Sequence, residues 1–187
     1  SSATTTSSGG GGGGGGSNAT NTTKTSTTFT INPGTPAVYK IKDSSTSVSE
    51  VSVDVINKVT GVKFSVAQFN AQPSTVSKAA SGTIFKYFDI SVSNLSNSNI
   101  RSAKIMFSVT KSWVSQNGFS SGDIVLQRFS GDWQKLATYL LKETASSFEF
   151  EVTTPGFSTF AITADKGKNE TTSAIACGNG IIESGEQ

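Results

Sequence analysis

The sequence predicts an all-β protein: an antiparallel β-sandwich with Greek-key connections, immunoglobulin-like in its general architecture. Three observations predict it. Apolar and polar residues alternate with a period of two, turn-forming residues separate these segments about every 8–12 residues, and the large apolar side chains are concentrated between residues 29 and 164. We therefore expect a sandwich of roughly ten short strands with a polar tail on each side.

The N-terminal tail, residues 1–28, is a low-complexity segment of Ser, Thr and Gly that contains an unbroken glycine run at residues 9–16. Such a composition cannot bury enough apolar area to offset the entropy of ordering it, so it predicts a flexible linker. The sandwich domain is then expected to span residues 29–164. Residues 165–187 are expected to form a second linker.

Five segments show the alternation that half-buried antiparallel strands require, because successive side chains of a strand point to opposite faces. Their inward-facing apolar residues are predicted to be Val51, Val53 and Val55; Val62, Phe64 and Val66; Phe88, Ile90 and Val92; Ile105, Phe107 and Val109; and Phe148, Phe150 and Val152.

Two shorter elements connect the predicted strands. Gly131 and Asp132 predict a tight two-residue hairpin loop before a strand at residues 133–136, because Gly can take a positive φ there. A short helix is predicted from residue 113 to residue 117, with Ser112 as its N-cap and Gly118 as its stop.

Composition argues against several classes of function. The chain has 15 Lys and Arg against 13 Asp and Glu, no histidine and one cysteine. The cations are scattered, so no basic face predicts a nucleic-acid partner, and no apolar run is long enough to span a membrane. A catalytic triad or a zinc site requires His or several Cys residues. We expect no cofactor, no metal site and no enzymatic activity.

A carboxylate pair is the remaining catalytic possibility. Glu149 and Glu151 lie on one face of a predicted strand whose other face is apolar, and Asp54 and Asp89 likewise occupy polar positions of their strands. The simpler interpretation is that these carboxylates belong to solvated outer faces.

The C-terminal half carries a recognisable order of motifs. FSVTKSW at residues 107–113 precedes IVLQRF at 124–129, WQKL at 133–136 and PGFSTFAI at 155–162. This order resembles the PGF-pre-PGF domain of archaeal secreted and surface (S-layer-associated) proteins, over about residues 64–164. The resemblance implies a secreted structural module of a cell envelope, with no catalytic residues to carry over.

The residues of that signature are Trp113, Trp133, Pro155, Gly156 and Phe157. The two tryptophans have large apolar side chains with one hydrogen-bond donor each, so we expect them to pack in the sandwich. Pro155 and Gly156 predict a turn that leads Phe157 into the last strand. The alternative is that an exposed aromatic pair stacks on a sugar.

The C-terminal tail from Cys177 to Gln187 is similar to the opening of a small cysteine-rich repeat of secreted microbial proteins. That resemblance implies that Cys177 forms a disulfide with a cysteine beyond Gln187. The alternative is a lone cysteine in a disordered tail.

Asn18, Asn21, Asn94 and Asn169 each begin an Asn-x-Ser/Thr sequon. A chain this rich in Ser and Thr is expected to contain several sequons by chance. Asn94 is the candidate inside the domain, and we expect it to lie exposed on a loop.

Two classes of function follow. The first is an extracellular structural module of a cell-surface glycoprotein, acting as spacer, lattice or adhesion domain, with neighbouring copies or other surface proteins as partners. Such a module could assemble into a filament by donating residues 25–31 as a strand, although addition of this strand within its own chain is the simpler interpretation. The second is a module that binds envelope glycans or other ligands, which predicts a groove lined by Tyr87, Trp113, Trp133 and Tyr139.

Overall fold

The computed structural model describes residues 22–42 and 44–166. They form twelve strands, one short helix and two 3₁₀ turns: β1 Thr22–Thr25, β2 Phe29–Ile31, β3 Ala37–Lys40, β4 Val48–Val55, β5 Val59–Phe69, β6 Thr83–Ser93, a 3₁₀ turn Asn97–Asn99, β7 Ile100–Thr110, α1 Lys111–Gln116, a 3₁₀ turn Ser121–Asp123, β8 Ile124–Phe129, β9 Trp133–Leu136, β10 Thr138–Glu143, β11 Ser147–Thr154 and β12 Thr159–Ala164. No helix among these residues is long and apolar enough to cross a membrane.

The strands form two antiparallel sheets that pack face to face, which confirms the predicted β-sandwich. The first sheet has the order β1-β5-β6-β12-β8-β9, with β2 also paired to β5. The second has the order β10-β11-β7-β4-β3. The chain changes sheet after β2, β4, β6, β7, β9 and β11, so sequence neighbours often face each other across the core.

The core lies between the sheets and consists of the side chains that the alternation predicts to face inward. Thirteen of the fifteen predicted positions are at most 2% exposed, and the other two, Val92 and Phe148, are half-buried against the same core. Ring contacts cross the interior, with Phe88 stacked on Phe160 and Phe107 stacked on Phe150. Apolar burial of this kind stabilises the fold by roughly 1.5–3 kcal/mol for each large side chain.

The sandwich begins earlier in the chain than the predicted boundary at residue 29. Thr22–Thr25 pairs with β5 as β1, although its composition is that of the predicted linker. Ser26 joins β1 to the sheet, because its backbone N–H donates to Phe64 O at 2.9 Å and its Oγ accepts from Phe64 N at 2.9 Å. β2 pairs with the other half of β5, so residues 25–31 add to the sheet of their own chain.

The two predicted short elements are correct in place and wrong in detail. The β8–β9 loop has three residues, Ser130 to Asp132, closed by a hydrogen bond from Ser130 N to Asp132 O, and Gly131 has the expected positive φ of 81°. The helix begins at Lys111, with Thr110 as N-cap and without a side-chain cap. Ser112 therefore lies inside the first turn, because β7 runs directly into the helix.

The first and last strands of the described chain reach different levels of the first sheet. β12 ends at Ala164, opposite Thr83, where β6 begins. Thr22 lies opposite Gln68, which pairs with Phe88 at the middle of β6, and β1 runs from there towards the other end of the sheet. That other end, at Ser93, is about 34 Å from Thr83, because a strand rises about 3.4 Å per residue.

Candidate functional site

The two signature tryptophans lie apart, and each packs against other rings. Trp113 of α1 lies 5.0 Å from the ring of Phe85 and 6.1 Å from that of Phe119. Trp133 of β9 contacts Tyr87 and Phe129, and its Nε1 donates to Lys78 O at 2.7 Å. Their rings serve packing, and they do not converge on one groove.

The Pro155-Gly156-Phe157 turn is also built into the sandwich. Gly156 O accepts hydrogen bonds from Arg128 Nε at 3.1 Å and Thr154 Oγ1 at 2.8 Å. Phe157 is 8% exposed, and its ring meets Phe64 edge-on at 6.1 Å. The turn thus directs an aromatic side chain into the core.

The two tyrosines expected in the groove have opposite environments. Tyr87 is buried, and burial raises the pKa of its hydroxyl. Tyr139 is 61% exposed on β10, the edge strand of the second sheet. No groove is formed by the four aromatic residues that sequence reasoning grouped together.

The carboxylates divide between solvated positions and one covered position. Glu151 pairs with Lys104 at 2.8 Å on the outer face of the second sheet. Asp54, predicted to be solvated, is only 8% exposed, because the β2–β3 turn and Arg101 cover it. Among the described residues, no cluster of three or more His, Cys, Asp or Glu could hold a metal ion.

Of the four sequons, only Asn94 lies among the described residues, and its side chain is exposed as expected. It follows β6 directly, has a φ of 60°, and its Nδ2 donates to Gly61 O at 2.9 Å. Asn18, Asn21 and Asn169 lie outside the described residues, as does Cys177.

A feature that sequence reasoning missed is the β5–β6 connection, residues 70–82, which folds over the outer face of the first sheet. Val76 at its centre is buried, and Lys78 pairs with Asp132 in the β8–β9 loop at 3.2 Å. Ser81 holds the fully buried Gln127, whose Nε2 donates to Ser81 O at 2.7 Å. We call residues 70–82 the flap. Its length is the signal that could have found it, since connections above about 12 residues are uncommon in compact domains.

The flap forms one wall of a cleft of about 410 Å³ over the outer face of β5, β6 and β12. Its floor carries Asp89, whose Oδ1 accepts a hydrogen bond from Thr159 Oγ1 at 3.0 Å. Its lining is Ala67, Phe69, Ala71, Gln72, Pro73, Ser74, Thr75, Asp89 and Thr159. A second cleft of about 330 Å³ lies on the other side of Asp89, towards Leu95 and Ser158.

Comparison of the chain with models of known families, with curated proteins and with solved structures finds no match. The assignment of function therefore depends on the geometry described above.

Proposed function

We propose that the chain is a non-catalytic extracellular structural module of a cell-surface protein, which acts as a spacer, lattice or adhesion domain. The aromatic residues of the signature support this role, because the rings of Trp113, Trp133 and Phe157 pack against other rings of the sandwich. A module that resists unfolding outside the cell without a disulfide in its core depends on such packing.

The packing of the signature residues carries the proposal. The rings of Trp113, Trp133 and Phe157 are each held against other rings of the sandwich, so they are not available to a ligand as an aromatic platform. Ala164 ends β12 opposite Thr83, where β6 begins, and the exposed Asn94 follows the other end of β6. We call the end of the sandwich with Asn94 the outward end, because it lies opposite the end at which β12 finishes.

This arrangement suits display at a surface. The outward end carries the β4–β5 turn, the β6–β7 connection and the sequon of Asn94. A glycan at that position would cover the end of the module without disturbing the strands, since Asn94 lies after the last residue of β6. Archaeal S-layer association remains part of the proposal through the sequence resemblance.

The first test is the mass of the full chain in solution, by sedimentation from about 1 to 200 μM, with and without residues 1–31. We expect the full chain to be a monomer throughout this range, because β1 and β2 already occupy the edge of their own sheet. Polymers that vanish on truncation would contradict a self-contained module and favour a filament built by a donated N-terminal strand.

The second test is labelling of intact producing cells with a membrane-impermeant maleimide. Ser96→Cys, at the outward end, is introduced in a Cys177→Ser background, because Cys177 is the only cysteine. We expect Cys at position 96 to react on intact cells. Reaction only after lysis would rule out an extracellular location.

A further inference from the structure

Phe69 is an aromatic side chain that the packing of the sandwich does not use. It ends β5 on the outer face of the first sheet, half-buried, and lines the 410 Å³ cleft beneath the flap. Among the described residues it has no partner in a ring pair or cation–ring contact, unlike Phe64, Phe85 or Phe88. Its ring thus contributes to the cleft and not to the core.

Asp89 lies on the same outer face as Phe69, on the neighbouring strand β6. Its register partner on β5 is Ala67, and Phe69 of that strand lies opposite Tyr87. None of the ion pairs between described residues includes Asp89. Within the part of the chain that the structure describes, only Thr159 Oγ1 donates a hydrogen bond to the Asp89 side chain, so the carboxylate can still accept bonds from a ligand.

The rest of the lining is neutral. Hydroxyl and amide groups come from Gln72, Ser74 and Thr75 on the flap, and Ala67, Ala71 and Pro73 add apolar surface. Among the described residues that line the two clefts, Asp89 is the only charged one. A ligand that fits this lining donates hydroxyl hydrogens, has an apolar face for Phe69, and carries no negative charge.

The two clefts meet at Asp89. Their volumes of about 410 and 330 Å³ each lie in the range of small-molecule sites. The second cleft adds Ser91, Asn97 and Ser158. The first cleft has a mainly apolar lining and the second a mainly polar one, and they share one carboxylate. This combination suits a linear ligand whose repeated units each have an apolar face and hydroxyl groups.

We propose that these clefts form a binding groove for a neutral oligosaccharide. One sugar ring lies against Phe69 through its C–H face, and hydroxyl groups of the adjoining unit donate to Asp89. The carboxylate accepts two such bonds in fixed directions, and charge-assisted bonds are the stronger ones. The flap carries one wall of the groove, so its contacts with the sheet set the groove's width.

The test starts with the full chain on an array of neutral and charged oligosaccharides, followed by calorimetric titration of the best neutral binder. We expect saturable binding and amide shifts in NMR at Ala67, Ala71 and Thr159 of the unaltered protein. Asp89→Asn and Phe69→Ala are each expected to weaken binding about tenfold or more. Glu151→Gln and Tyr139→Ala, on the outer face and edge of the other sheet, are matched controls that leave affinity within about twofold.

Three results would overturn the proposal. One is the absence of saturable binding to any neutral oligosaccharide up to about 10 mM. A second is binding that neither groove variant weakens although both melt like the unaltered chain. The third is amide shifts confined to residues outside the two clefts. Preferential binding of amino sugars or hexylamine, with no affinity for neutral sugars, would assign the groove to cations instead.

Discussion

A Cβ atom on Gly156 would lie 2.6 Å from Cγ of Asn97, so these two residues fit together only because position 156 has no side chain. The short distance lets Asn97 bind the turn, since its Oδ1 accepts a hydrogen bond from Phe157 N at 3.1 Å. The glycine of the Pro-Gly-Phe turn therefore permits close approach to Asn97 in the β6–β7 connection.

Gly156→Ala is expected to destabilise the domain by about 1–2 kcal/mol, because the methyl group displaces the Asn97 amide from Phe157 N. Urea denaturation measures the loss. The double variant Gly156→Ala/Asn97→Ala should cost less than the sum of the single variants, since they share one interaction. Gly122→Ala is the control, because its nearest neighbour would be 3.7 Å away. Additive losses would contradict the proposed contact.

Asp54→Ala is expected to cost about 2–3 kcal/mol of folding free energy. Its Oδ1 accepts from Gly34 N at 2.8 Å and from Val55 N at 2.9 Å, which fixes the β2–β3 turn against β4. Arg101→Ala, which removes the half-exposed ion-pair partner, should cost about 1 kcal/mol or less. Equal losses in the two variants would show that the ion pair, and not the turn, matters.

Asp132 is expected to titrate below its ordinary pKa of 3.8, because Lys78 Nζ and the backbone N–H of Trp133 hydrogen-bond its carboxylate. Since the folded-state pKa is the lower one, the contribution to stability is present above the unfolded value. It is lost as the pH falls through the folded value. Carboxyl NMR titration should show the pKa rising in Lys78→Met and unchanged in Lys111→Met, whose ion pair is with Glu143. An unchanged pKa of Asp132 in Lys78→Met would contradict the hydrogen bond between Lys78 of the flap and Asp132 of the β8–β9 loop.

Removal of residues 1–28 is expected to lower the free energy of unfolding by about 2 kcal/mol or more, because β1 and the two Ser26–Phe64 hydrogen bonds are lost. Removal of residues 1–21 leaves every described strand pair in place, so we expect a change below about 0.5 kcal/mol. Denaturant titration of the two truncated chains compares them. Equal stability would place the start of the domain at residue 29 after all.

Asn94 is expected to carry a glycan when the chain is secreted by a host that glycosylates Asn-x-Ser/Thr, because its side chain is exposed. Peptide mass spectrometry detects the modification. Ser96→Ala removes the sequon and leaves the bond from Asn94 Nδ2 to Gly61 O intact, so the melting temperature should stay within about 2 °C. An unmodified Asn94 in a host that modifies a control sequon would remove the glycoprotein element of the proposal.

The inner faces of the strands could be predicted because the alternation is local. A residue such as Phe64 or Ile105 faces the core once its strand forms, whichever strands are its neighbours. Asp89 was likewise assigned correctly to a polar strand position. What it lines there could not be predicted, because the flap comes from elsewhere in the chain.

The sequence by itself determined the all-β class, the apolar residues between the sheets and the glycine turn at Gly131, since each depends on side-chain alternation or on φ at one residue. Only the tertiary structure decided that Thr22–Thr25 is a strand, that Asp54 is covered and that Phe69 lies in a cleft. The reason is physical: outer faces and edges are solvated or covered according to which distant segment reaches them. The local sequence pattern does not indicate which distant segment covers a given outer face or edge.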